Sequence, residues 1–228
     1  MPRGAIRRDA EVLVRTRDAF LQHGFEALSM IELARAIGIS RRSLYNRFPN
    51  KEAAYRALIR WLNEQSMQKG REAGRVVRES GGTPVDIISE IIDVRFGETR
   101  RMVESSPHAV ELNAVAFAKC RDIAIDVAAR FQQDLIEVLT SLVDEGTIRL
   151  RPSFSAADIA EALAYGARGV NQALPPVTIE TLGARYRRMC EAILFGAAVQ
   201  PPTRRRPAVG TTEQVRAHPA PKRASPKA

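Results

Sequence analysis

S-M-I-E-L-A-R-A-I-G-I-S-R-R-S-L-Y-N-R-F-P-N-K, residues 29–51, holds two short helical patterns that meet at Gly38. Ser29 opens the first, and Glu32 stands three residues on. That is the spacing of a capping box, in which two orphan helix-end donors are satisfied reciprocally. Ile31, Leu33, Ala34 and Ile37 give this helix an apolar face. Gly38 suits the left-handed conformation that ends a helix, where a side chain costs energy. Ile39 plugs the turn, and Ser40 is a good N-cap for the second helix. Pro49 keeps that helix short, because proline lacks an amide proton and disfavours helix just before it. Leu44 and Phe48 lie one turn apart and pack inward, leaving Arg41, Arg42, Ser43, Tyr45, Asn46 and Arg47 facing out. Such a helix suits a major groove, where arginines, hydroxyls and an amide bond base edges and phosphates. Asn50 caps a further helix with Lys51 in its first turn. The plainer reading is a surface turn between two amphipathic helices of an ordinary bundle. Agreement among caps, turn residue and exposed basic helix favours the groove-reading geometry.

Working outward, Val12, Leu13, Thr16, Ala19 and Phe20 repeat at helical spacing, which predicts a helix from Asp9 to His23 stopped by Gly24. Phe25 and Leu28 tether the link to the next helix. On the other side Ala54, Leu58 and Leu62 predict a long helix running to about Glu79, where Gly81 and Gly82 break it. Tyr55 and Trp61 add aromatic bulk along it, with core packing as their role.

Residues from about Val12 to Leu62 resemble the N-terminal DNA-binding domain of the tetracycline-repressor (TetR) family of bacterial transcription regulators. Ala19, Phe20, Gly24, Phe25, Ser29, Ile31, Leu33, Ala34, Gly38, Ser40, Leu44, Tyr45, Phe48, Lys51 and Glu52 carry the resemblance, above all the L-Y-x-x-F-x-x-K-E run after G-I-S. Arg41-Arg42 is a departure, since the family often has a lysine followed by glycine or another small residue there. The resemblance implies that Arg41, Arg42, Ser43 and Asn46 contact base edges, and that Ser29, Tyr45, Arg47 and Lys51 contact phosphate.

Beyond the head, Thr83-Pro84 starts a helix with an N-cap and a proline at its first position. Ile87, Ile88, Ile91, Ile92, Val94 and Phe96 come next, apolar on more than one face, so burial on several sides is expected. Ser105-Ser106-Pro107 punctuates, and a short helix from Pro107 to about Lys119 carries Val110, Ala114 and Phe117. Ile123, Val127, Phe131, Leu135, Val138 and Leu142 form a stripe that ends at Gly146. Ser155 and Asp158 make another capping start for a helix rich in small residues that ends before Pro175-Pro176. The last helix, about Ile179 to Ala198, has Leu182, Tyr186, Met189 and Ile193 on one stripe. This part is similar to the TetR-family body, whose last two helices pair with those of a second subunit. The resemblance therefore implies a homodimer formed through the helices around 156–173 and 178–198, most simply by a two-fold interface. The alternative is that both helices only close the monomer core.

The expected fold is all-α: a three-helix helix-turn-helix head, a helical ligand-binding and dimerisation domain, and a disordered basic tail. The expected segments are a flexible basic arm at 1–8, the DNA-binding domain at 9–61, the body at 62–198 and a Pro/Arg-rich tail at 199–228. With 45% hydrophobic residues in 228, a real core can form. The net charge of +9 is unevenly placed. Residues 1–61 hold 12 Lys+Arg against 6 Asp+Glu, and residues 199–228 hold 7 against 1, so the middle is mildly acidic. A basic module on a near-neutral body points to a polyanion partner. Arg3, Arg7 and Arg8 supply the arm.

Cys120 and Cys190 form no C-x-x-C pair and no cluster with histidine, which reads as two free thiols in a reducing cytosol and no metal site. No signal-peptide core and no run of about 18 apolar residues occurs, so a cytoplasmic protein without a membrane span is expected. His23, His108 and His218 lie apart, and no nucleophile elbow or phosphate-binding glycine loop is present, so catalytic residues, enzymatic activity and cofactors are not expected. The leading function is a homodimeric repressor released from a palindromic DNA operator by a small-molecule effector. The competing one is an all-helical interaction protein whose basic head docks an acidic protein. Arg95, His108, Asn113 and Tyr165, polar groups within or beside apolar patterns, are the candidates for effector contact.

Overall fold

Capping chemistry sets the element boundaries of the computed structural model, which describes residues 3–196, with side chains from residue 9 onward. The head contains α1 (Arg3–His23), α2 (Met30–Ala36), α3 (Arg41–Arg47) and the start of α4 (Lys51–Glu79). The first helix begins before Asp9, so the backbone expected as a free arm is helical from Arg3. Gly24, at φ 76°, ends α1, and its N–H donates to Phe20 O at 2.8 Å. Phe20, Phe25 and Tyr55 meet in a buried aromatic cluster with centroids 5.0 to 5.8 Å apart. The Thr16 hydroxyl is buried and donates to Val12 O at 2.8 Å, so its burial leaves no unpaired donor. On α2 the core takes Leu33 and Ala34, whereas Ile31, expected on the apolar face, is 39% exposed.

A single helix joins head to body. With 29 residues, α4 is about 43 Å long at 1.5 Å per residue. Asn50 caps it, with Oδ1 accepting from Ala53 N at 2.8 Å. Its near half buries Ala54, Tyr55 and Leu58, and its far half presents Gly70 and Gly74 to α5 (Pro84–Ile92). Side chains would not fit there. A Cβ on Gly74 would stand 2.4 Å from Ile91 Cγ1, and one on Gly70 3.0 Å from Ile91 O.

Thr83 and Asp86 close a capping box at the start of α5, with Pro84 in the first turn. The helix then opens into a π-helical turn, Asp93–Gly97, before α6 (Glu98–Glu104). A π turn adds a residue to one turn and so rotates the helix beyond it by roughly 100°. That shift corrects the expected pattern: Arg95 is buried, while Val94 and Phe96 are only half-buried.

The remaining body is α7 (Ala109–Lys119), α8 (Arg121–Asp144), α9 (Ala156–Asn171) and α10 (Ile179–Phe195). On α7 the buried residues are Leu112 and Val115; Val110 and Phe117, expected to carry the helix, are 86% and 73% exposed. The α8 stripe runs Ile123, Val127, Phe131, Leu135, Leu139 and Leu142. The i+4 row continues to Leu139, so Val138 is only partly covered. α9 and α10 pack on each other, α9 on α8 and α10 on α5. The buried Tyr186 hydroxyl donates to Asn171 Oδ1 at 2.6 Å across the turn between them. The expected tail at 199–228 lies outside the described residues, as do the side chains of Arg3, Arg7 and Arg8.

Candidate nucleic-acid interface

The turn between α2 and α3 is fixed by backbone bonds. Gly38, at φ 71°, lets Ile39 N reach Ala34 O at 3.1 Å and its own N–H reach Arg35 O at 3.2 Å. This pair of bonds is the Schellman arrangement that only a left-handed residue permits easily. From α1, Arg15 Nη1 adds a bond to Ile37 O at 3.1 Å, satisfying a further helix-end carbonyl. Ser40 Oγ then accepts from Ser43 N at 3.1 Å and starts α3. Leu44 is fully buried, and Phe48 leaves the helix in an extended conformation just before Pro49.

With Leu44 anchored, the rest of α3 faces solvent. Arg41, Arg42, Asn46 and Arg47 are exposed, Tyr45 is 50% exposed and Ser43 is half-buried. Arg41 and Arg42 have no hydrogen-bond or ion-pair partner among the described residues, so their guanidinium groups are free for an outside acceptor. Arg47 is different: its Nη1 bonds the Asp9 carboxylate of α1.

Two other predicted contacts are shaped by internal bonds. Ser29 forms the capping box with Glu32, whose carboxylate accepts from Ser29 N at 2.7 Å. That backbone bond holds the Glu32 carboxyl below the usual carboxylate range, so a negative charge stays beside Ser29. Lys51 turns inward. Its Nζ donates to Phe25 O at 2.6 Å and Glu26 O at 3.2 Å, and sits 4.4 Å from the centre of the Phe25 ring. An ammonium has three donors, which leaves one for a phosphate.

The four candidates for effector contact do not converge. Arg95 is buried under α4 and α8, His108 sits at the start of α7, and Asn113 and Tyr165 are exposed on α7 and α9. No hydrogen bond or ion pair among the described residues links any two of them. Tyr165, beside Glu161, has its hydroxyl pKa raised by a hydrogen bond to that carboxylate. One surface cleft is lined by Gln133, Ile136 and Glu137 and another by Val76, Asp86 and Arg187; neither includes any of the four.

A group of residues not expected from the sequence ties the head to the body. Glu111 Oε1 accepts from Phe25 N at 2.7 Å and Glu26 N at 2.6 Å, and its other oxygen lies 3.4 Å from His108 Nδ1. The Glu26 amide, then the Phe25 amide and His108, hold this carboxyl below its ordinary range despite partial desolvation. Tyr55 Oη donates to Leu112 O at 2.9 Å, and Ser106 Oγ to Leu21 O at 2.6 Å. Arg56 grips Asp122 with two bonds, at 2.9 and 2.5 Å, and Lys119 pairs with Glu52 at 2.8 Å. These contacts join positions 57 to 86 residues apart, and no local pattern announces them.

Among the described residues no helix is long and apolar enough to cross a membrane. Nor are three His, Cys, Asp or Glu side chains placed to hold a metal ion. A short basic helix held outward on a three-helix head is the helix-turn-helix arrangement. Residues 12–58 match the family model of bacterial regulatory proteins, tetR family, so the chain carries a tetR-family domain in its head. The whole fold agrees. A TetR-family transcriptional regulator from Rhodococcus sp. aligns with TM-score 0.61 at 17% identity, over 82% of this chain and 98% of that one. The TetR-family regulator PfmR from Thermus thermophilus aligns at TM-score 0.52 and 19% identity, over 82% and 99%. The fatty acid degradation regulator FadR from Bacillus halodurans aligns at 0.53 and 14%, over 83% and 100%. No protein of curated function matches the sequence.

Proposed function

We propose that this TetR-fold regulator is a homodimeric, sequence-specific DNA-binding repressor that a small molecule releases from a palindromic operator. The observation that carries the DNA-binding reading is the pair of unpartnered, exposed guanidinium groups of Arg41 and Arg42 on a helix whose angle Leu44 fixes. Arginine bonds guanine O6 and N7 with both arms, and Asn46 suits adenine. On this reading Arg41, Arg42, Ser43 and Asn46 meet base edges in the major groove. Ser29, Tyr45 and Arg47 meet phosphates, and Lys51 adds its charge and its third N–H.

The dimer forms through α9 and α10. Tyr165 and Phe195 are large exposed groups there, and Gly169 leaves open space above its backbone, features that a facing copy would cover. Two heads then sit in successive major grooves, about 34–36 Å apart. An effector in the body acts only by binding one head spacing better than the other. The Glu111, Tyr55 and Arg56 bonds give body and head a rigid connection through which that preference passes. Such a protein works in the cytoplasm, where its DNA is.

Selection of bound sequences from random duplex DNA by the full chain tests the reading. Enrichment of a palindrome whose complex survives excess random duplex is expected. No enrichment, with binding abolished equally by any polyanion, would overturn it in favour of an acidic protein partner.

A further inference from the structure

Arg95 is the one charged side chain among the buried described residues, at 7% exposure. It is held by neutral groups only: Nη1 donates to Ser66 Oγ at 3.1 Å and Nη2 to Asn63 Oδ1 at 2.8 Å, both on α4. Its Nε–H is buried with no partner. No carboxylate lies within ion-pair distance of it among the described residues. Asp93, two residues away in sequence, is bound to Arg101 at 2.7 and 3.0 Å. Asp134, the one acid whose field favours its charge, is bound to Arg71 at 2.7 Å. Arg130 and Arg168 add positive charge nearby, so burial and these two cations pull its pKa down to about 10.

A guanidinium taken out of water without a counter-charge is a net cost, and neutral hydrogen bonds offset it incompletely. The π turn puts the group there. Gly70 of α4 lies beside it, its Cβ position 3.6 Å from Arg95 Cβ. Phe96 and Phe131 cover the cation with ring centroids at 4.8 and 5.8 Å, and meet each other edge to face at 5.3 Å.

We infer that Arg95 anchors an anion site in the body, and that its ligand is an apolar monocarboxylic acid. The unpartnered Nε–H shares one edge of the planar guanidinium with Nη2, which gives one of its two N–H groups to Asn63, and such an edge matches the two oxygens of a carboxylate. The two rings suit an apolar remainder. They also occupy the space beside the cation, so a bound acid displaces at least one of them. The identification of this acid with the effector rests on the proposed function above; the site itself does not.

The test uses the full chain with octanoate, benzoate and phenylacetate, each beside its neutral amide. Thermal midpoint and calorimetric titration are read for the native protein, Arg95→Met and Arg95→Lys. At least one acid should bind saturably and raise the midpoint, at least tenfold tighter than its amide. Arg95→Met should abolish that preference while folding as well as the native chain, since it removes an unpaired buried charge. Arg95→Lys keeps charge without the fork, and should weaken binding about tenfold, which also covers the case of a poorly folded methionine variant. The inference is overturned if every acid binds no better than its amide, or if Arg95→Met retains the preference. Operator affinity measured with the bound acid separates the two readings. Unchanged affinity sinks the effector role and leaves the anion site standing.

Discussion

Removing the Glu111 carboxylate should loosen the head from the body. Its Oε1 takes both the Phe25 and the Glu26 amide protons, at 2.7 and 2.6 Å, in a half-buried seam. Hydrogen bonds to a charged acceptor contribute about 1.5–3 kcal/mol each, and partial exposure of this pair argues for the lower end. Discounted again for water reaching the freed amides, Glu111→Ala should destabilise by about 2 kcal/mol. For a chain of this size that lowers the thermal midpoint by about 4–8 °C. Glu111→Gln keeps an oxygen acceptor without the charge and should lose roughly half as much. The carboxyl pKa is depressed in the folded state, first by the Glu26 amide. Its stabilisation is therefore complete above the unfolded value near ~4.3 and lost as pH falls through the lower folded value. The alanine variant should lack that part of the acid dependence. Scanning calorimetry at several pH values and amide exchange at Phe25 and Glu26 are the assays. If the alanine midpoint stays within about 1 °C of native and both amides exchange at the native rate, the seam does not hold the head.

Arg42→Ala should cost about 1–3 kcal/mol of operator binding and relax preference at one base pair, read by competition with single-base operator variants. Lys51→Ala should weaken all duplexes alike, and also lower the thermal midpoint, because its Nζ holds Phe25 O and Glu26 O; an unchanged midpoint would deny the internal role. Gly74→Ala should destabilise by about 1–3 kcal/mol through overpacking on Ile91, measured by urea unfolding. Cys190 is buried and its thiol pKa is pushed up to about 12 by desolvation, with Cys120 raised the same way. Both thiols should resist alkylation at pH 8 until the chain unfolds, which labelling with and without denaturant checks.

The head is legible in the sequence because its signals are local. Ser29 with Glu32, Gly38, Ser40 and Pro49 each act within a turn or two, and each does so in the structure. The reach of α4 to Glu79 is read the same way, from Asn50 at one end and Gly81 at the other. The features that escape are set by distant partners. Nothing near Glu111 says that its carboxylate meets amides more than 80 residues away. Nothing near Lys51 says that its ammonium turns inward. The π turn contains no proline, and its only glycine, Gly97, is its last residue, so the register shift that buries Arg95 has no punctuation to mark it. Arg95 is recognisable as a polar residue among apolar ones. Its lack of a counter-charge is not, since Asp93 stands two positions away and only the fold commits it to Arg101.

The side-chain-free strip on α4 has a mechanical consequence. At Gly70 that helix lies against the Ile91 carbonyl of α5, and at Gly74 the Ile91 side chain packs directly on its backbone, which leaves little room for one helix to slide on the other. The two helices are therefore locked together there, and α4 runs on from that contact to the head, where Tyr55 and Arg56 tie it to α7 and α8. Over the roughly 28–35 Å from Gly70 and Gly74 to Lys51, a tilt of roughly 3° moves the head end by roughly 1.5–2 Å. On the proposed function, a displacement of that size at α3 is enough to spoil the fit of its arginines to a groove.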